Sequence, residues 1–353
     1  MTQKDFGPKR LIIELTNICN LRCSYCLRDE DALYHTPANF FSPELLDQIL
    51  KQAREEIGIT AVVFTGGEPT LHPSFNRILE VSEANGMKVS FVTNGWHFER
   101  VWPAVEAHRN SITHVGFSLD GVTTETHDRW RGDGSFVRLI RAFSRCFIAN
   151  LPFVVKVGIR RDTIDELEKI ALFSARLGAA GLNFAHIMPT SPEVEDSSAL
   201  TYAERERADQ EIANLARIFK MKIGIDVGYH NLDVAPPCSA LAGVSANIDY
   251  RGKLTLCCNL SGFRGASGEI DVAADLNKQD FASAFLQLSE LASGQLAARR
   301  ERIESKSHAE LSQDPYVSSP CLFCLDTFGK LPWRQSYIAA GNETRSLPVL
   351  PVV

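Results

Sequence analysis

Along the first 190 residues, apolar side chains come in short runs separated by amphipathic stretches. The runs are 10–15 RLIIEL, 60–64 TAVVF, 87–92 MKVSFV, 112–119 ITHVGFSL, 153–159 FVVKVGI and 181–187 GLNFAHI. Each has the length and the β-branched or aromatic content of a strand. Most read as apolar on both faces, as strands of a covered parallel sheet are. Residues 42–58 predict a helix, with Ser42 as N-cap and Pro43 at the first helical position. Leu45, Leu46, Ile49, Leu50 and Ile57 share one face of it, and Gly58 ends it. Residues 163–178 predict another, opened by a capping box from Thr163 to Glu166 and closed at Gly178. Six strand-then-helix units in series predict an α/β fold, a partial (β/α)6 barrel of TIM type. Chemistry in such a barrel belongs on the loops at the C-terminal ends of the strands.

The pattern changes after about residue 220. MKIGIDV, ANIDY and KLTLCC are short and turn-rich, with a hairpin turn predicted at Arg251 and Gly252. A long polar and helical stretch, 262–320, follows. The expected division is a barrel over 1–220, a small α+β domain over 221–335 and a tail over 336–353.

Composition adds exclusions. With 23% charged residues and a net charge of −6, the chain has no basic bias that would make nucleic acid its main partner. The start, MTQKDFGPKR, lacks the apolar core of a signal peptide, and no run approaches the roughly 18 apolar residues of a membrane span. These features place the chain in the cytoplasm without a membrane partner, where thiols stay reduced. Its nine cysteines, several of them clustered, then read as metal ligands before disulfides.

Three of them stand in CNLRCSYC, residues 19–26, directly after the first strand. Cys19, Cys23 and Cys26 at this spacing can hold three irons of a four-iron cluster and leave the fourth open to an incoming ligand. A zinc site completed by a distant residue fits the spacing as well. TGGEP, 65–69, leaves the second strand; TNG, 93–95, ends the third; SLDG, 118–121, ends the fourth.

Together these stretches resemble the radical SAM superfamily over roughly residues 10–190, with Tyr25 as the aromatic residue of the cysteine signature. The resemblance implies that the open iron of a catalytic 4Fe-4S cluster binds S-adenosylmethionine. An electron then cleaves the cofactor, and the 5′-deoxyadenosyl radical abstracts a hydrogen atom from substrate. It also implies roles for single residues. Gly66, Gly67 and Glu68 would hold the amino group of S-adenosylmethionine. Asn94 would lie beside the cofactor, Ser118 and Asp120 would touch its ribose or methionine part, and Arg131, in THDRWRGDGSF, would pair with its carboxylate.

A second set of cysteines follows the pattern C-x13-G-x4-C and then C-x2-C: Cys238, Cys257, Cys321 and Cys324. This resembles the SPASM/Twitch domains of radical SAM enzymes. With no cysteine after Cys324, the shorter Twitch form is expected, in which all four thiolates bind a second, auxiliary 4Fe-4S cluster. Structural zinc is the competing occupant. By strand alternation Cys257 shares a face with Lys253 and Thr255, and Cys258 with Leu254 and Leu256. Cys258 reads as a packed thiol or, as in some peptide epimerases of this class, as a hydrogen-atom donor. Cys146 reads as a core residue. His72 and His230 are histidines without a visible base partner, and SPEVEDSS, 191–198, is an acidic loop placed to cap the barrel.

The expected activity is that of a radical SAM oxidoreductase, with the auxiliary cluster accepting an electron from substrate. One reading makes the substrate a ribosomally made peptide that is crosslinked or epimerised. A second makes it a small metabolite, such as a sugar or cyclitol, that is oxidised or rearranged. A third makes the chain a non-enzymatic zinc or iron–sulfur protein. A reducing partner such as flavodoxin or ferredoxin is expected. No leader-binding module fits before Cys19 or after Cys324, so a peptide substrate calls for a separate leader-recognition protein or direct docking on the Twitch region.

Overall fold

The computed structural model describes residues 9–264 and 269–334; the expected tail over 336–353 lies outside them. The first seven strands are β1 (Arg10–Glu14), β2 (Ala61–Thr65), β3 (Lys88–Thr93), β4 (Ile112–Ser118), β5 (Phe153–Ile159), β6 (Gly181–His186) and β7 (Lys222–Val227). They pair side by side, all parallel, in chain order. Helices α1 (Pro43–Ile57), α2 (Phe75–Ala84), α3 (Phe98–Ala107), α4 (Thr124–Arg131), α5 (Ser135–Ile148), α6 (Leu167–Arg176), α7 (Pro192–Ser197) and α8 (Tyr202–Ile218) fill the connections.

One face of each strand packs on the helices. Leu11, Ile13, Val62, Phe64, Val89, Phe91, Val115, Phe117, Val155 and Phe184 are all fully buried. The rings of Phe98, Phe117, Phe143 and Phe153 join in one cluster with neighbouring centroids 4.9–6.1 Å apart. The other face departs from the expected apolar pattern. Glu14, Ser90, His114, Lys156 and Asn183 alternate with the buried residues along β1, β3, β4, β5 and β6. The strands are therefore fully apolar on the helix side, whereas their inner face mixes these polar residues with Ile12, Val63, Val92 and Val154.

Helix α1 forms as its sequence predicts. The Ser42 hydroxyl accepts from the Glu44 and Leu45 N–H groups at 3.1 and 3.3 Å, and Gly58 takes the left-handed conformation at φ 75°. The capping box at Thr163 does not form. The Thr163 hydroxyl accepts from Arg160 N–H at 2.9 Å and donates to Arg160 O, so it ties down the end of β5 while a 3-10 turn, Ile164–Glu166, leads into α6.

The sheet also continues past residue 220, where the sequence pattern changes. MKIGIDV supplies β7, whose half-exposed edge position explains its low apolar density. Strand β8 (Ser245–Ile248) pairs in parallel with β1. Strands β9 (Lys253–Thr255) and β10 (Val272–Asp275) then follow antiparallel, giving the order β10-β9-β8-β1-β2-β3-β4-β5-β6-β7. The β8–β9 turn falls at the predicted place, with Gly252 at φ 81° and its N–H donating to Asp249 O at 2.9 Å. The stretch 262–320 holds β10 as well as the long helix α9 (Phe281–Glu304) and the short α10 (His308–Leu311) and α11 (Pro315–Ser318). Helix α12 (Pro320–Thr327) carries the last two cysteines. No helix of the described residues is long and apolar enough to cross a membrane.

Candidate functional site

The 19–26 loop leaves β1 at the C-terminal end of the parallel sheet and rests on the loop leaving β2. Gly67 N–H donates to Thr16 O and Glu68 N–H to Ile18 O, both at 2.8 Å. A Cβ at Gly67 would lie 2.0 Å from Ile18 O, and one at Gly66, φ 134°, would lie 2.6 Å from Thr16 O. The two glycines thus let one backbone lie flat against the other. Cys19 Sγ accepts from Leu21 N–H at 3.4 Å and lies 4.0 Å from Asn94 Nδ2, which also donates to Asn20 Oδ1 at 3.0 Å. Burial pushes the Cys19 thiol up to about 12 and raises Cys23 too, with the nearby carboxylates and thiols adding to both shifts. Without metal these thiols stay protonated, so loading releases protons.

Glu68 is buried, and its carboxylate accepts four hydrogen bonds. Thr70 N–H, Thr70 Oγ1 and Thr93 Oγ1 donate to Oε1 at 3.1, 2.6 and 2.7 Å, and Asn94 N–H donates to Oε2 at 2.8 Å. Burial raises its pKa against the pull of these donors. The GGEP carboxylate therefore joins the ends of β2 and β3. Ser118 ends β4 opposite Lys156 of β5, and Lys156 pairs with Asp226 of β7.

Asp120 is the hub of a second network. Its carboxylate accepts from Tyr25 OH and Arg131 Nε, and from Arg160 Nη1 at 3.0 Å. Arg160 also pairs with Asp162 at 3.0 Å and lies 4.2 Å above the Trp130 ring. His127 Nδ1 accepts Asp120 N–H, which fixes that ring as the neutral Nε2–H tautomer, and burial lowers its pKa to about 4. Burial alone would raise the Asp120 pKa, but Arg131 and Arg160 outweigh it and hold the group at about 2. The network anchors Tyr25, between Cys23 and Cys26, to the ends of β4 and β5. Arg160 was missed from sequence, although its place one residue beyond β5 was a usable signal.

The second cysteine set also comes together. Cys238, Cys257, Cys321 and Cys324 line one cavity with Leu241, Leu256 and Leu260. Three of the four sulfurs meet an N–H donor: Asn259 N–H reaches Cys257 at 3.5 Å, Gly228 N–H reaches Cys321 at 3.4 Å, and Gln295 Nε2 reaches Cys324 at 3.4 Å. Burial pushes the Cys321 thiol up to about 12 and Cys324 higher still. Among the described residues, no three His, Cys, Asp or Glu side chains converge tightly enough to hold a single metal ion. A four-iron cluster gives each thiolate its own iron and so calls for thiols spaced apart.

Strand β9 ends at Thr255, so alternation does not extend to Cys257 and Cys258 as the sequence reading assumed. The chain turns there, with Leu260 and Ser261 N–H groups both donating to Cys257 O. Cys257 enters the four-cysteine cavity, and the Cys258 thiol is hydrogen-bonded to the Cys257 thiol, with the charges of Arg28, Glu14 and Lys156 also acting on Cys258. Between the segments flanking the 19–26 loop and β8–β10 lies a cavity of about 290 Å³, lined by Glu14, Arg28, Asp249, Thr255, Asp271 and Lys330 among others. His72 is structural, accepting Ser74 N–H at 3.1 Å and bonding Phe41 O at 3.0 Å. The His230 ring nitrogens make no hydrogen bond among the described residues, and Nδ1 lies 3.6 Å from Asp209 Oδ2. Asp209 of α8 accepts the His230 backbone N–H at 3.2 Å and bonds His186 Nε2 at 2.6 Å. The acidic stretch 191–198 forms α7, whose Glu195 accepts from Tyr316 and, at 3.0 Å, from Trp333. Cys146 is buried in the helix layer.

The strand-end cysteine loop thus rests on GGEP at the C-terminal end of the parallel sheet. Residues 13–174, a little under half of the chain, match the Radical SAM superfamily model, and over that stretch the chain is similar to that superfamily. The mycofactocin maturase MftC of Mycobacterium tuberculosis is 32% identical over 187 residues, 52% of this chain and 46% of that protein. The chain spans about half the length of the maturases it matches. The fold is shared more widely. Streptococcus suis SuiB bound to its precursor peptide SuiA superposes with a TM-score of 0.66 at 15% identity, covering 90% of this chain and 74% of that one. Native anSMEcpe with bound AdoMet superposes with a TM-score of 0.66 at 16% identity, covering 95% and 100%.

Proposed function

We propose that the chain is a radical SAM oxidoreductase that modifies a peptide. The observation that carries this reading is the cysteine loop seated on GGEP at the strand ends, with a second thiol set behind β8 and β9. Support for a peptide comes from the identity to a mycofactocin maturase and from the fold shared with a SuiA-bound enzyme. Crosslinking or epimerisation of a ribosomal peptide is the proposed outcome. Flavodoxin or ferredoxin is the proposed reductant, with a separate leader-recognition protein as a further partner in the cytoplasm.

Cys19, Cys23 and Cys26 would hold the catalytic cluster, and Gly66, Gly67, Glu68, Asn94, Ser118, Asp120 and Arg131 would shape the place of S-adenosylmethionine. Cys238, Cys257, Cys321 and Cys324 would hold the auxiliary cluster. When bound, the cluster and S-adenosylmethionine together supply a radical that abstracts hydrogen from substrate. The chain's own residues position and shield that chemistry. The Glu68 and Asp120 networks fix the loops around the thiols. Lys156, Asn183 and Asp226, joined by an Asn183-to-Asp226 hydrogen bond of 2.9 Å, give the barrel interior a polar face for a peptide backbone. Cys258 lies beside those charges, where a thiol can return a hydrogen atom.

Anaerobic reconstitution should give about eight irons per chain, two four-iron clusters. The reconstituted enzyme should then release 5′-deoxyadenosine faster with its peptide and change that peptide's mass. Stimulation by sugar alcohols and by no peptide would reassign the substrate. Zinc in place of the second set of irons would remove the electron-acceptor role.

A further inference from the structure

The bulkiest side chains that are almost wholly buried are three arginines, Arg160, Arg205 and Arg299. A guanidinium taken out of water is costly unless a negative charge answers it. Arg160 has Asp120 and Asp162. Two other shielded arginines are also matched, Arg131 by Asp120 and Arg28 by Glu14. Arg205 and Arg299 differ. Among the described residues neither has a carboxylate within ion-pair distance. Arg205 donates only to carbonyls, those of Leu200, Gly228 and Ile187, at 3.1, 3.2 and 3.4 Å. Arg299 donates to Asp233 O at 3.0 Å and to Asn231 O, and its Nε has no partner. Carbonyl dipoles orient a guanidinium but do not neutralise it.

Both arginines flank the four-cysteine cavity. Gly228, whose carbonyl Arg205 holds, donates its N–H to Cys321 Sγ. Arg299 lies one turn beyond Gln295, which donates to Cys324 Sγ. The ionisable groups that act most strongly on Arg299 are Cys324, Cys238, Tyr229 and Cys321. The carboxylates nearest to Arg205 are engaged elsewhere, Glu195 by Tyr316 and Trp333 and Asp209 by His186.

We propose that Arg205 and Arg299 are the built-in counter-charge of the auxiliary iron–sulfur cluster, and that they hold its reduction potential above that of the cluster on Cys19, Cys23 and Cys26. This rests on the auxiliary-cluster reading above. Four thiolates give a four-iron cluster about two negative charges in its 2+ state, which two guanidiniums match. Reduction adds a further negative charge, which cations held beside the cluster favour. The N–H donors to Cys257, Cys321 and Cys324 act in the same direction. The first site is built the other way. Its shielded arginines, Arg28, Arg131 and Arg160, are already neutralised by carboxylates, Arg22 is exposed to water, and Glu68 adds negative charge beside Cys19. One polypeptide thus gives two similar clusters different electrostatic surroundings, and the ordering suits the auxiliary centre to receiving electrons.

The test is an EPR-monitored redox titration of the full chain carrying Cys19→Ala, Cys23→Ala and Cys26→Ala, which isolates the second cluster. Adding Arg299→Gln or Arg205→Gln should lower the midpoint by at least a tenfold change in the oxidised-to-reduced ratio, about 59 mV for one electron. Arg299→Lys and Arg205→Lys should stay near the parent value. If the Gln forms fail to hold iron while the Lys forms hold it, the counter-charge role is also supported. Full iron with unchanged midpoints in both Gln forms would overturn the proposal. So would loss of iron in the Lys forms as well, since that marks shape and not charge. If the triple variant itself binds no iron or binds zinc, the auxiliary-cluster reading fails, and this proposal fails with it.

Discussion

Asp120→Asn keeps the size of the side chain but removes the charge that Arg131, Arg160 and Tyr25 share. The depression of the Asp120 pKa from 3.8 to about 2 corresponds to roughly 2 kcal/mol in favour of its ionised form. Removing one partner of a buried pair typically costs about 3–5 kcal/mol, because the other charge is left unanswered. Arg160 keeps Asp162, so the lower end, about 3 kcal/mol, is expected. Trp130 lies against Arg160 and is a local fluorescence reporter for urea unfolding. The pH dependence has a definite sign. The folded pKa is depressed, so this stabilisation is full above about pH 4 and is lost as pH falls through about 2; the Asn variant should lack that acid-sensitive part. Because Tyr25 sits between Cys23 and Cys26, the variant should also lose the first cluster's iron and keep the second's, so that iron falls to about half. Stability within about 1 kcal/mol of the parent, an unchanged acid limb and full iron would together refute the anchoring role.

Gly67→Ala puts a Cβ 2.0 Å from Ile18 O and must push the two loops apart; iron at the first site should fall while far-UV circular dichroism stays native, and full iron would count against the close-approach argument. Glu68→Gln turns an acceptor oxygen into an NH2 group facing N–H and hydroxyl donors, which should cost about 2 kcal/mol in urea unfolding; a neutral result would mean that the carboxylate is not needed to join β2 and β3. Cys258→Ala should keep all the iron and the cleavage of S-adenosylmethionine but stop formation of an epimerised product, read by mass spectrometry after hydrolysis in deuterated acid; unchanged product would remove Cys258 as hydrogen donor.

The parallel barrel was legible in the sequence because the helix-facing side of each strand is continuously apolar. The polar inner face was harder to read. Lys156 interrupts its run by a single residue and His114 follows Thr113, and only the fold, which puts both on the inner face of the sheet, gives those positions a meaning. β10 was hidden for a related reason, since a short edge strand carries little hydrophobic signal, whereas MKIGIDV was legible as the short strand that became β7. The cysteines could be read because their chemistry is local in sequence. Their supports could not, since Asp120 with Arg160, Glu14 with Arg28 and Arg299 with the cysteine cavity are contacts made only by the fold. Thr163 shows the converse error, where a local capping pattern lost to a tertiary need at the end of β5.

Those long-range contacts also join the two cysteine regions into one unit. Arg28, two residues past Cys26, donates to Cys258 O at 2.8 Å and to Ser261 O while pairing with Glu14 of β1 at 2.9 Å. Arg264 reaches the other way, with its N–H on Leu27 O at 2.7 Å and its guanidinium on Ser24 O at 3.0 Å and Glu30 at 2.9 Å. Asp29 N–H adds a bond to Gly262 O at 3.0 Å. The segment after the first three thiols is therefore laced to the segment after Cys257, beside the parallel pairing of β1 with β8. A shift in either loop must move the other, so the spacing between the two thiol sets is set by these hydrogen bonds and one buried ion pair. That rigidity suits electron transfer between fixed centres, and it explains why the second cysteine set is built onto the edge of the barrel sheet.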